Sequence, residues 1–201
     1  MEINFIKEPF FHIIVDDAFS DLNLIFNELY SFKDKLLSPE ESGGAKSADG
    51  EHKKKNKGLF LDMCENYRSL KIVSDTNEIL TRIRNSEKWK NHRTFHRFYQ
   101  YTGWGGYLLS HYESGDYYKP HYDDGLFTLI TFLFDDYENR IGGDLYFPEY
   151  DYLHECKNNQ SILFLSKEIH QVTTFKSKNN RYSISTFANL WRRHIDPDLE
   201  N

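Results

Sequence analysis

The chain has 201 residues, 39% of them apolar and 16% aromatic, and a formal net charge of −6 at pH 7. That length fits one domain, and the 14 Tyr and 16 Phe favour a ring-filled core or an aromatic-lined cleft. The acidic balance argues against a dedicated nucleic-acid binder, and Cys64 and Cys156, neither in a CxxC pair, argue against a disulfide scaffold or a cysteine-ligated zinc site.

The first residues, MEINFIKEPFFHIIVDD, lack a basic segment followed by a long apolar one. No stretch has the length to span a membrane, so the expectation is a soluble, cytoplasmic chain. PFFHIIVDDAFS reads as an opening strand. SDLNLIFNELYSFKDKLL puts Leu22, Ile25, Leu29 and Phe32 on one helical face, with Ser20 or Asp21 as N-cap. Residues 38–58 are nearly devoid of apolar side chains and predict a mobile surface loop, functional or merely tolerated. Lys53, Lys54, Lys55 and Lys57 make it locally basic.

SDTNEILTRIRNSEKW predicts a second helix, with Asp75 and Glu78 at capping-box spacing and Ile79, Ile83 and Trp89 as a core stripe. From about residue 94 the period becomes strand-like, through TFHRFYQYT, YLLSHYES, LFTLITFLFDD, GDLYFPEY, QSILFLSK, HQVTTFKS and RYSISTFANLW. Short strands separated by turn residues predict an antiparallel sandwich or barrel. The expected organisation is a single domain over 1–201, with a helical support region at 1–93 and a β core at 94–191.

The chemistry concentrates in HYESGDYYKPHYDDG, residues 111–125. On a strand His121 and Asp123 share a face, supplying two of the three ligands of a two-His-one-carboxylate iron site. HxD alone is a weak signal, and a second copy at His194 to Asp196, in a polar tail, is expected to be a decoy. The first copy has partners downstream. His170 follows one apolar strand and opens another, and Arg181 shares a strand face with Ser183. Singly, His170 reads as a satisfied core histidine and Arg181 as a surface cation. Together, in this order, they fit a metal chelated by a dicarboxylic acid whose far carboxylate is clamped by the guanidinium.

Tyr112-x-x-Gly115-x-x-Tyr118-x-x-His121-x-Asp123 resembles the signature of prolyl 4-hydroxylase-like iron(II)/2-oxoglutarate oxygenases. GGDLYFPEY resembles the GG-x-x-x-FPE segment of that family, and HQVTTF with RYSISTFA resembles its closing segment. The motif-bearing likeness spans Phe95 to Trp191. It implies an α+β fold with a mainly β core, a double-stranded β-helix (jelly-roll, cupin-like) with amino-terminal helices packed on one sheet. It implies His121, Asp123 and His170 as ligands of Fe(2+), and Arg181, Ser183 and Tyr112 around 2-oxoglutarate. O2 is the other cosubstrate, and ascorbate an optional accessory.

The implied reaction is a procollagen-proline 4-dioxygenase-like hydroxylation of an unactivated C–H bond, foremost on a prolyl residue of a peptide or protein, releasing succinate and CO2. A carboxylate at Asp123 favours hydroxylation over halogenation. Tyr118, Trp104 and Tyr146 are the aromatic candidates for stacking on substrate. Departures from the family pattern are Phe132, where a cosubstrate-binding tyrosine is common, Gln160, where a small residue is common, and a longer turn before Arg181. His111 reads as a surface strand residue. The rival readings are a hydroxylase of a free amino acid or small metabolite, a nucleic-acid demethylase supported only by the basic loop, and a non-catalytic barrel binding a metal or sugar. Oligomeric state is not written in the residues.

Overall fold

In the computed structural model, which describes residues 1–190, every residue of β6 (Phe127–Phe134) is buried. A strand covered on both faces needs a layer on each side, and its continuous apolar run reflects this. Phe127, Leu129 and Leu133 point to one core cluster, and Ile130, Phe132 and Phe134 to another. β6 lies within a seven-stranded sheet of order β1-β2-β9-β6-β11-β4-β3. Its members are β1 (Glu2–Ile6), β2 (His12–Asp16), β3 (Lys57–Phe60), β4 (Thr102–Tyr112), β6, β9 (Gln160–Leu165) and β11 (Arg181–Leu190). A four-stranded sheet of order β5-β10-β7-β8 faces it, built from β5 (Tyr118–His121), β7 (Leu145–Phe147), β8 (Tyr152–His154) and β10 (His170–Val172). All pairings are antiparallel. Helices α1 (Leu22–Ser31), α2 (Lys71–Arg84) and α3 (Arg93–Gln100) pack on the outer face of the larger sheet. This is the expected double-stranded β-helix with helices on one sheet.

α1 starts as expected, with the Asp21 carboxylate accepting from Leu24 N–H at 3.1 Å, and Ile25, Leu29 and Phe32 are buried. α2 corrects the capping-box expectation. It begins at Lys71, and its first donors are satisfied from α1: Glu28 accepts from Lys71 N–H at 2.6 Å and Ile72 N–H at 2.9 Å. Asp75 lies inside the helix, buried, and accepts from Ser20 N–H at 3.1 Å and Ser20 Oγ at 3.2 Å.

The strand expected for TFHRFYQYT is instead α3. Tyr99 is fully buried there and donates to Leu80 O at 3.0 Å, while Phe95, one turn earlier, stacks on Phe11 at 4.5 Å. That i, i+4 spacing decided against the apparent alternation. The opening strand expected in the amino-terminal region is β2, and this support region also contributes β1 and β3 to the large sheet. His111 is buried, with its ring 5.0 Å from that of Tyr182, so it is a core residue and not a surface one.

Residues 38–56 form no long strand or helix, as the composition predicts, but they are docked. Leu37 and Gly58 exchange both backbone hydrogen bonds at 3.0 Å, closing the segment at its base. Lys119 N–H donates to Lys53 O at 2.8 Å and Lys55 N–H to Tyr117 O at 3.1 Å, laying the segment along β5. β5 is an edge of the smaller sheet, and the strap covers its unpaired backbone groups. None of the described helices is long and apolar enough to cross a membrane.

Candidate functional site

His121 ends β5 and His170 opens β10, and the two are register partners across the ladder. Asp123 stands just past the end of β5, its N–H bonded to Ser166 O at 2.9 Å. A turn, and not strand alternation alone, therefore brings its carboxylate to the imidazoles. His121 Nδ1 bonds Lys119 O at 2.8 Å and His170 Nδ1 bonds Glu168 O at 2.9 Å. With Nδ1 engaged on a carbonyl in each ring, Nε2 is left as the lone-pair atom facing inward. His121 Nε2 is 3.9 Å from Asp123 Oδ1, and His170 Nε2 is 3.6 Å from Asp123 Oδ2. One ligand atom from each residue falls within 4.8 Å of the others.

Thr128 Oγ1 donates to Asp123 Oδ2 at 2.8 Å and bonds Ser166 Oγ at 2.9 Å, fixing the carboxylate. Burial, then the neighbouring His170, pulls the His121 imidazole down to about 3, and burial raises the Asp123 carboxyl. A desolvated set whose His121 ring resists protonation is suited to a cation.

The triad and Arg181 line one cavity of about 650 Å³ between the sheets. Arg181 has no exposed surface. Its Nε donates to Gly143 O at 2.9 Å, and its guanidinium lies 4.4 Å from the Tyr112 ring centroid, 5.6 Å from Phe132 and 5.8 Å from Phe134. Nη1 is buried without a hydrogen-bond partner. Among the described residues no carboxylate lies within 4.0 Å of it. A buried guanidinium lacking its anion marks a place for one.

Gly142 and Gly143 make the approach of this strand possible, at φ +68° and +73°. A Cβ at Gly143 would stand 2.8 Å from Phe175 Cδ2 and 3.0 Å from Arg181 Cδ, and one at Gly142 would stand 2.2 Å from Thr174 O.

Residues 107–189 match the family model described as the 2OG-Fe(II) oxygenase superfamily. Over that segment the chain is similar to iron(II)/2-oxoglutarate oxygenases. Oxygenases of this superfamily take Fe(2+), 2-oxoglutarate and O2, and both halves of the cavity fit that load: two inward imidazole nitrogens with a carboxylate at one end, an orphaned guanidinium nitrogen at the other.

Three solved oxygenase structures share the fold. The viral collagen prolyl hydroxylase of Paramecium Bursaria Chlorella virus-1, in its 2OG complex, has TM-score 0.55 at 17% identity, covering 89% of this chain and 96% of its own. A Trichoplax adhaerens prolyl hydroxylase, in complex with a hypoxia inducible factor peptide fragment, has TM-score 0.57 at 16% identity, covering 89% and 83%. A Pseudomonas putida prolyl-4-hydroxylase has TM-score 0.54 at 15% identity, covering 89% and 92%. No sequence among curated proteins matches the chain.

The remaining oxygenase candidates divide by position. Ser183 is buried and, with Tyr112, lines the cavity beside Arg181. The Tyr118 ring stacks on His121, centroids 3.6 Å apart at 13°, and its hydroxyl accepts from Ala45 N–H at 2.8 Å, so it also anchors the strap. Two of the aromatic candidates lie away from the cavity. Trp104 packs beside Tyr99 in the helix-facing core, and Tyr146, between the inward-facing Leu145 and Phe147 on β7, donates to Asp151 Oδ1 at 2.8 Å. Phe132 is fully buried as part of the ring wall over Arg181, and Gln160 donates to Asp16 Oδ1 at 2.7 Å, closing the start of β9. The decoy at His194 to Asp196 lies outside the described residues. The sequence reading missed Thr128 and gave Gly143 and Lys54 no role of their own. Gly143 carried a signal in its Gly-Gly pair and Lys54 in the basic run of the loop.

Proposed function

We propose that the protein is an Fe(II)- and 2-oxoglutarate-dependent hydroxylase acting foremost on a prolyl residue in a peptide or protein. The observation that carries the chemistry is the sharing of one cavity by the His121–Asp123–His170 cluster and the unpaired Arg181. A non-catalytic metal or sugar barrel leaves that guanidinium without a purpose. The prolyl preference is supported by the fold neighbours, each a prolyl hydroxylase by name, and it rests on analogy.

His121, Asp123 and His170 hold the metal, with Lys119 O, Glu168 O and Thr128 orienting the ligands. Arg181 takes the distal carboxylate of 2-oxoglutarate, with Ser183 beside it and the Tyr112, Phe132 and Phe134 rings excluding water. Iron with 2-oxoglutarate and O2 supplies the oxidising power for C–H hydroxylation, with succinate and CO2 as by-products. The chain supplies ligands, orientation and a dry wall. The second reading, a free amino acid or small metabolite as substrate, is favoured by the strap, which narrows the cavity from above.

The test is a mass-spectrometric search for a +16 product, with succinate measured alongside, across prolyl peptides and amino acids with Fe(II) and 2-oxoglutarate. A +16 prolyl peptide is the expected result. Products confined to free amino acids support the second reading, and absence of both succinate and iron binding overturns the enzyme.

A further inference from the structure

The lysine-rich run of the strap is divided by its alternation. Lys55 and Lys57 are exposed and stand 3.9 Å from Asp116 and 3.9 Å from Glu113, respectively, and Lys53 Nζ donates to Pro120 O at 2.8 Å. Lys53 also lines the cavity that holds the metal cluster, but its ammonium is engaged on that carbonyl. Lys54 lines the same cavity and is the buried member of the run, 5% exposed.

Its Nζ donates to Ser42 Oγ at 2.8 Å, and the Ser42 hydroxyl donates in turn to Ser38 O at 2.8 Å. An ammonium has three donors, and this uses one. Among the described residues no carboxylate lies within 4.0 Å of Lys54 Nζ. Burial draws the group down to about 8, against the pull of Glu40 from farther away, leaving it mostly protonated at neutral pH.

The position is built tightly. A Cβ at Gly44 (φ +129°) would stand 3.0 Å from the Tyr118 hydroxyl and 3.1 Å from Lys54 Cε, and the Tyr118 ring lies flat against His121. The exposed Lys46 lines the same rim. Burying an ammonium without a counter-charge is costly, and in a chain of net charge −6 the cavity's strap side is locally positive. Arg181, on the large sheet, is already matched to the cosubstrate, which leaves Lys54 without an anion.

We propose that Lys54, set by Ser42 and Gly44, is a carboxylate-binding subsite for the substrate, which therefore carries a carboxylate near the carbon that is oxidised. The inference rests on the oxygenase reading of the cavity. The carboxylate comes from an acidic side chain next to the target residue of a peptide, or from a free amino acid's own carboxyl group. Lys54 sets specificity and takes no part in the chemistry.

The test is equilibrium calorimetry on the full chain loaded with Mn(II) and 2-oxoglutarate, so that no turnover occurs. The probes are acetyl-Pro-Glu-amide and acetyl-Glu-Pro-amide against their Gln counterparts, and L-proline against L-prolinamide. The expected result is at least about tenfold tighter binding of one carboxylate probe than of its amide, reduced to about twofold or less in Lys54→Met and retained in Lys54→Arg. The pair that shows the preference identifies the source of the carboxylate.

Lys54→Gln keeps a donor to Ser42 and serves if Lys54→Met does not fold. No carboxylate preference in the wild type, or one unchanged by either neutral variant, overturns the proposal, as does a neutral variant that weakens 2-oxoglutarate binding. Failure of the wild type to bind 2-oxoglutarate at all overturns the oxygenase reading itself, a separate outcome from loss of the probe preference.

Discussion

Arg181 brings a full positive charge to the centre of the molecule with one hydrogen bond and three aromatic rings around it. Stripping a guanidinium of water costs several kcal/mol, which a bidentate carboxylate offsets. Arg181→Ala is therefore expected to weaken 2-oxoglutarate binding about 100-fold, from the ~2–5 kcal/mol typical of a broken buried charge pair. Metal binding by calorimetry should change less than about twofold, because among the described residues no hydrogen bond or ion pair joins the cluster to the guanidinium. Loss of metal binding in this variant would show the two ends to be one unit. Arg181→Lys should not restore affinity, since an ammonium cannot hold Gly143 O and present a planar fork together.

His154 illustrates a different residue-level cost. It is buried, its Nε2 lacks a partner, and burial, then His12, pulls it down to about 4 from 6.5. The unfolded chain therefore binds a proton that the folded one refuses between these values. Stability is present above about pH 6.5 and is lost as pH falls toward about 4, with this group adding up to one proton to the slope, roughly 1.4 kcal/mol per pH unit. Urea unfolding of metal-free protein across that window should show a shallower slope in His154→Phe; an equal slope would clear His154 of the effect.

At the scale of elements, the turn before β7 and the strap decide the shape of the cavity. Gly143 packs against Phe175 and Arg181 with no room for a methyl group. Gly143→Ala should cost about 1–3 kcal/mol by overpacking and strain at positive φ, read as a lowered urea midpoint, and should raise the KM for 2-oxoglutarate because Gly143 O orients the guanidinium. Wild-type stability in this variant would mean that the turn yields freely.

The strap can be excised, because Leu37 and Gly58 already hold its ends together. Replacing residues 38–56 by a short Gly-Ser linker should raise the substrate KM about tenfold, by analogy with lids, and spare substrate-free 2-oxoglutarate turnover. Unchanged kinetics would make the strap a surface ornament. Elements also mark where pattern reading faltered. TFHRFYQYT alternates locally like a strand, and only the burial of Tyr99 under α2 shows why it coils. Asp75 and Glu78 have capping spacing, yet Glu28 of the neighbouring helix does the capping.

For the whole molecule, the two ends of the cavity belong to different sheets. His121 and His170 sit on the smaller one, and Arg181, Tyr112 and Ser183 on the larger. A ligand that binds only the folded chain stabilises it by mass action, by ~2.7 kcal/mol at 100 times its dissociation constant. Mn(II) at that excess should raise the melting temperature by roughly 5–10 °C for a chain of this size, and chelator should reverse the gain. His170→Ala should abolish the response, and an undiminished response would place the metal elsewhere.

The sequence by itself determined most of the periodic elements, α3 excepted, and singled out the residues of the cluster. Buried strands must be apolar on both faces, and His121, Asp123, His170, Arg181 and Ser183 sit in short motifs whose spacing is local. Tertiary structure alone decided what those residues meet. The docking of the strap on β5, the inward turn of Lys54, the Thr128 bond to Asp123 and the withdrawal of Trp104 and Tyr146 from the cavity depend on partners distant in the chain. Periodicity reports which face of an element is dry, whereas which dry face becomes a site depends on how the sheets close.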